Sequence, residues 1–100
     1  MVTDLDLINF HDSIEEEKIA LVKFWAPWCG PCKTYAPVFE KFAEDNTNVA
    51  CFSVDCEEFP DLASEFDIMS IPATLVFKDG KLADTKQGKL TVEQLQNLVN

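Results

Sequence analysis

Two cysteines separated by two residues, Cys29-Gly30-Pro31-Cys32, are the part of this sequence best suited to chemistry. That spacing lets both sulfurs meet within the first turn of a helix and close a small-ring disulfide. The pair follows an apolar run that reads as a buried strand, and Pro31 is well placed as the first residue of a helix. In a chain of alternating strands and helices, this context makes a C-x-x-C pair a redox motif. Cys29 would sit at the helix amino terminus, where unpaired N–H groups and the helix dipole stabilise a thiolate, the nucleophilic form of the thiol. Cys32, one turn inside, would be more buried and held as a thiol until needed, with Lys33 adding positive charge nearby.

The elements that must position this pair are legible from periodicity and punctuation. Asp4 or Asp6 caps a first helix carrying Leu7, Phe10 and Ile14 on one face. Glu15 to Lys18 is a polar break, read as a solvated turn. Ile19 to Trp25 reads as a strand buried on both faces, and Pro27 cannot continue it. The helix from Pro31 passes through Tyr35, Val38, Phe39 and Phe42, with Pro37 expected to kink it. Val49 to Val54 forms a second strand, and Asp55 or Cys56 begins a shorter helix with Leu62, Ala63 and Phe66 inward. Thr74 to Phe77 is a third strand, joined through the Asp79-Gly80 turn to a fourth, Leu82 to Lys86. Thr91 caps a last helix with Val92, Leu95, Leu98 and Val99 inward, and Thr91-Val92-Glu93-Gln94 approximates a capping box. Strands separated by helices imply parallel pairing through right-handed crossovers, and the hairpin adds an antiparallel edge. A mixed α/β sheet with helices on both faces follows.

One hundred residues make a single domain, residues 1–100, and 47% hydrophobic content is enough for a core. Eight Lys, no Arg and eighteen acidic residues give a formal charge of −10. That balance excludes nucleic acid and anionic membranes as partners. The longest apolar run, Ile19 to Trp28, is broken by Lys23 and too short to span a bilayer. No secretory signal opens the chain, so a cytoplasmic location is expected. Four cysteines are too few for a disulfide scaffold and point to redox chemistry or metal binding.

The stretch Phe24-Trp25-Ala26-Pro27-Trp28-Cys29-Gly30-Pro31-Cys32-Lys33 resembles the active-site segment of thioredoxins. The resemblance extends over essentially the whole chain, through Val54-Asp55, Ile71-Pro72-Ala73-Thr74, Phe77-Lys78-Asp79-Gly80-Lys81 and Gly88. It implies the thioredoxin fold, with a central mixed sheet of four to five strands flanked by four helices. It also implies a protein-disulfide reductase that needs no cofactor and no metal, acting as a monomer on disulfide-containing target proteins and re-reduced by a thioredoxin reductase. Cys29 is then the attacking nucleophile, Cys32 the resolving thiol, and Cys29–Cys32 the redox-active disulfide. Trp28, Gly30, Pro31, Ile71, Pro72 and Gly88 would shape and present the site, with Pro72 the family's cis-proline and the Ile71 backbone free to pair with an extended substrate.

Lys23 is the main departure from the family pattern, which usually carries a buried Asp there. A Lys whose position in many relatives lies on the next strand is replaced by Cys51. A buried amine at Lys23 would favour the Cys32 thiolate and make the protein more oxidising, or would itself shuttle the proton. The plainer alternative is that Lys23 snorkels to solvent. The alternatives to a reductase are an oxidase or isomerase-like member and a partner-binding subunit whose dithiol is incidental. Cys51 reads as a small core residue and Cys56, at a helix start, as an exposed thiol. Spacing alone also permits a zinc site from all four cysteines, which the family geometry disfavours. Gln87 and Lys89 flank Gly88 where relatives often place apolar docking residues. His11 reads as a surface residue with no partner.

Overall fold

The structure is a computed structural model that describes all 100 residues. In chain order the elements are β1 (Val2–Asp4), α1 (Phe10–Glu15), β2 (Ile19–Trp25), α2 (Gly30–Asp45), β3 (Ala50–Asp55), α3 (Pro60–Glu65), β4 (Ala73–Lys78), β5 (Lys81–Gln87) and α4 (Val92–Val99). They build one five-stranded sheet in the order β1-β3-β2-β4-β5. β1, β3 and β2 run parallel, and β4 and β5 run antiparallel to their neighbours.

The central position of β2 follows from its composition. Ala20 to Phe24 are all buried, which only a strand covered on both faces allows. On one face Ala20, Val22 and Phe24 pack with Phe10 and Ile14 of α1 and Leu62 of α3. On the other, Leu21 packs with Tyr35, Phe39 and Phe42 of α2 and Leu95 and Val99 of α4. The mixed sheet with helices on both faces is therefore as expected, and α2, whose first turn holds the dithiol, packs on the same face of the sheet as α4.

Three local expectations are corrected. β1 is a short strand at the chain's start, and α1 begins only at Phe10. The Asp6 carboxylate accepts N–H bonds from Ile8 (2.9 Å) and Asn9 (2.8 Å), while Asn9 Oδ1 accepts the Asp6 N–H (2.8 Å). These bonds hold a turn where the sequence suggests a helix cap, and Leu7 is left half-exposed. Likewise Asp55 accepts from the N–H groups of Glu57 and Glu58, so Asp55 to Glu58 form a turn and α3 starts at Pro60. Val92 at the start of α4 lies on its exposed side.

The turn residues behave as their chemistry requires. Asp79 (φ 52°) and Gly80 (φ 81°) are both left-handed, the pairing that a tight hairpin needs. Thr91 Oγ1 accepts the Gln94 N–H (3.1 Å) and Gln94 Oε1 accepts the Thr91 N–H (2.8 Å), completing the capping box.

Candidate active site

Cys29 is the N-cap of α2, with extended backbone (φ −89°, ψ 109°). It is joined to Cys32 by a disulfide, the two Cα atoms lying 5.3 Å apart. Cys29 Sγ accepts the Cys32 backbone N–H at 3.2 Å, one of the N–H groups that a helix start leaves without a partner. When the disulfide opens, that N–H and the helix dipole face a sulfur that they favour as a thiolate. The placement expected from Cys-Gly-Pro-Cys is thus present: Pro31 supplies no N–H inside the first turn, where none is needed.

The two cysteines differ little in burial, Cys32 being slightly the more buried, as expected. Cys29 is 5% exposed and Cys32 3%. They differ in surroundings instead. Cys29 lies beside the Ile71 carbonyl, its Sγ 3.8 Å from Ile71 O, and follows Trp28, which is 70% exposed. Cys32 faces inward, onto a cavity beneath α2.

Ile71 and Pro72 arrive from far along the chain, at the start of β4, joined by a cis peptide bond. The Pro72 carbonyl accepts the Gly88 N–H at 2.8 Å, and Gly88 has φ +86°, a conformation that residues with a Cβ rarely adopt. A Cβ on Gly30 would meet nothing within 4 Å, so the approach over the dithiol is open there. All the residues singled out around the dithiol, Trp28, Gly30, Pro31, Ile71, Pro72 and Gly88, therefore lie on three adjoining segments: the start of α2, the start of β4 and the end of β5.

Lys23 is buried, with only 7% exposure, which corrects the snorkelling alternative. Its Nζ lies 5.5 Å from the centre of the Phe39 ring, and it lines a cavity of about 240 Å³ together with Cys32, Asp4, Glu40 and Ser53. Burial pushes the Lys23 amine below its ordinary range, while Glu40 and Asp4 push it back up. Sequence reasoning missed Asp4, Glu40 and Ser53. Glu40 was findable, standing two helical turns after Cys32; the other two depend on strand order.

The remaining cysteines stand apart. Cys51 is in the core beneath α2 and Cys56 packs against the core on the opposite face, so the four cysteines do not converge. No group of three or more His, Cys, Asp or Glu side chains is placed to hold a metal ion. Burial raises both thiols, to about 11. Cys56 lies in the turn before α3 and is half-buried, not exposed at a helix start. His11 is exposed as expected, yet it has a partner, with its Nε2 3.1 Å from a Glu65 carboxylate oxygen. No helix is long and apolar enough to cross a membrane.

The thioredoxin family model matches residues 1–100. A thioredoxin from Alicyclobacillus acidocaldarius is 46% identical over 91 residues, covering 88% of this chain and 85% of the relative. One from Staphylococcus aureus is 42% identical over 100 residues, covering 99% and 92%. Among solved structures, oxidised thioredoxin from Plasmodium falciparum superposes with a TM-score of 0.88 at 30% identity, covering 99% of this chain and 95% of that one. A mutant thioredoxin from Halobacterium salinarum superposes with a TM-score of 0.91 at 28% identity, covering 98% and 87%.

Proposed function

The chain belongs to the thioredoxin family of thiol–disulfide oxidoreductases, and on that premise we propose that Cys29 attacks disulfides in target proteins and Cys32 resolves the product. The observation that carries this assignment is the Cys32 N–H held 3.2 Å from Cys29 Sγ at the head of α2. That sulfur has the helix terminus behind it and the exposed face of Trp28 beside it.

The Cys29 thiolate attacks one sulfur of the target disulfide, the target S–S bond breaks, and the other target sulfur leaves as a thiolate. Cys32 then attacks Cys29 Sγ, the mixed disulfide breaks, and the second target sulfur leaves. Two electrons have passed from the dithiol to the target, and the Cys29–Cys32 disulfide remains. The second step gains from proximity, since its two sulfurs are in one helical turn. An extended target segment pairs with the Ile71 backbone, while Trp28, Gly30, Pro31, Pro72 and Gly88 form the surface it lies on. The 100 residues work as one domain and as a monomer in the cytoplasm, and a thioredoxin reductase restores the dithiol.

Replacement of each cysteine tests the assignment. Cys29→Ser should abolish reduction of a disulfide-bonded protein, whereas Cys32→Ser should accumulate a mixed disulfide with it, seen on a non-reducing gel. Trapping by Cys29 in the reverse pattern, with Cys29→Ser accumulating the adduct, would exchange the two roles. A doubly substituted protein that keeps full biological function would favour the partner-binding reading. The buried Lys23 favours one further reading, a more oxidising member of the family. The Cys29–Cys32 equilibrium in dithiothreitol and glutathione buffers distinguishes it: a disulfide reduced readily by glutathione marks an oxidant, one resistant to glutathione a reductant.

A further inference from the structure

The eighteen acidic residues of this chain are unevenly placed. None falls in residues 26–38, 68–77 or 85–92, the stretches that contain the start of α2, the start of β4 and the end of β5. Those stretches carry three lysines, Lys33, Lys86 and Lys89, all exposed. They also carry three of the large apolar side chains left exposed, Trp28, Met69 and Val92. A molecule with a formal charge of −10 therefore builds the surroundings of its dithiol from apolar and positively charged side chains.

The three lysines are not equivalent. Lys86 Nζ lies 3.5 Å from the Asp84 carboxylate. Lys33 lines the cavity beneath α2 together with Asp4 and Glu40. Lys89 has no carboxylate within 4 Å; the ion pairs of the chain lie elsewhere. It lines a groove of about 460 Å³ between α2 and the start of α4, with Thr34 and Val38 on one wall and Val92 on the other, and none of the residues lining that groove is acidic. The groove adjoins the dithiol. Lys89 follows Gly88, whose N–H is held by the Pro72 carbonyl at 2.8 Å, and the Ile71 carbonyl lies 3.8 Å from Cys29 Sγ. Two peptide bonds and one hydrogen bond thus separate Lys89 from the residue beside the attacking sulfur.

Resting on Cys29 as the attacking nucleophile, we propose that Lys89 is a specificity-determining residue that selects target disulfides carrying a carboxylate within about three residues of the attacked cysteine. The target segment lies extended beside Ile71 with its cysteine at Cys29, advancing about 3.4 Å per residue. Its apolar side chains rest on Trp28 and Met69, and its glutamate or aspartate meets the Lys89 ammonium at the groove. Eighteen acidic residues stand against eight lysines in this chain, so a lysine that only decorates the surface would readily find a carboxylate of its own. Lys89 has none, and its charge is free for a partner. The negative charge elsewhere does not cancel the attraction, because exposed charges more than about 8 Å away are largely screened at physiological ionic strength. An ion pair at such a rim discriminates between targets without holding any of them tightly.

Short peptides test this, each with one cysteine linked by a disulfide to thionitrobenzoate and differing only in a Glu, Gln or Lys placed two residues before or after that cysteine. The Cys29 thiolate attacks the peptide sulfur, the bond to thionitrobenzoate breaks, and the coloured thiolate leaves with the electron pair, so its release reports the attack. A Cys29→Ser protein gives the background from the other cysteines. In at least one of the two placements, the reduced wild-type protein should react about threefold faster with the Glu peptide than with the Gln peptide, and about threefold faster with Gln than with Lys, the size of one exposed ion pair. Lys89→Glu should reverse the order, and Lys89→Gln should bring the three rates within about twofold. Equal rates for the three peptides in the wild-type protein, an order kept in Lys89→Glu, or a loss in Lys89→Glu shared equally by all three would each overturn the proposal. So would an order erased by Lys33→Gln and kept by Lys89→Gln, which would move the selection to Lys33. If the wild-type protein releases no thionitrobenzoate from any peptide, the assignment of Cys29 fails, and that result is distinct from a failure of Lys89 alone.

Discussion

The Tyr35 hydroxyl and Thr74 Oγ1 meet at 2.7 Å, 39 residues apart in sequence, and tie the first turns of α2 to β4 directly behind the dithiol. Both side chains are fully buried. Tyr35→Phe leaves the Thr74 hydroxyl without its partner and should cost about 1–3 kcal/mol in denaturant unfolding. Adding Thr74→Val should recover most of that loss, because both polar groups are then gone. A double variant no more stable than Tyr35→Phe would show that the bond does not couple the two residues.

Alkaline pH should weaken the fold through three groups. Burial raises Cys51 and Cys56 from 9.0 to about 11, and Tyr35 from 10.0 to about 12. In that window the folded chain holds protons that the unfolded chain has released, so stability falls as pH rises. The contribution is complete below pH 9 and is lost between about pH 9 and 12. Cys51→Ala should flatten the stability curve between pH 9.0 and about 11 by roughly 2 kcal/mol. An identical slope in the variant would assign the alkaline loss to the other groups.

Lys23 should act on stability with the opposite sign. Its folded value lies below the ordinary 10.5, so the unfolded chain binds the extra proton. Stability therefore rises with pH from the lowered value up to 10.5, and the penalty is complete below it. Lys23→Met should raise stability at neutral pH by about 1 kcal/mol, or about 4–8 °C in Tm for a domain of this size. A lower Tm would mean that the amine is better satisfied in the cavity than its geometry indicates.

Trp28 should matter to targets and not to the fold. Its ring is 70% exposed, so Trp28→Ala should leave Tm within about 2 °C. KM for a disulfide-bonded protein should rise about tenfold through lost apolar contact, while the rate with a small aryl disulfide changes little. Equal losses with both substrates would place the effect on Cys29 chemistry instead of docking.

Much of this protein is written locally. The Cys29-to-Cys32 spacing, the Pro31 helix start, the Asp79-Gly80 hairpin and the Thr91–Gln94 capping box involve residues within four positions of each other. Backbone geometry alone makes such partners meet. The all-buried strand Ile19–Trp25 announced the middle of a covered sheet for the same reason, since its burial needs no particular neighbour. Local signals failed where two short patterns competed. Asp6 and Asp55 are good helix caps, but their carboxylates found turn N–H groups first, and α1 and α3 begin later than their apolar residues suggest.

What tertiary structure alone decided is the inner half of the site. Ile71 O comes to Cys29 across 42 residues through the pairing of β4 with β2, and Gly88 N–H comes to Pro72 O through the pairing of β4 and β5. The polar row Asp4–Ser53–Lys23–Thr74 needs the order β1-β3-β2-β4 and its register; shifting any strand by one residue would turn its member to the other face. The sequence by itself determined which residues do the thiol chemistry, because that depends on a single helical turn. Which groups stand behind Cys32 was decided by strand order, because three separate strands and a helix had to pack before their side chains could share one cavity.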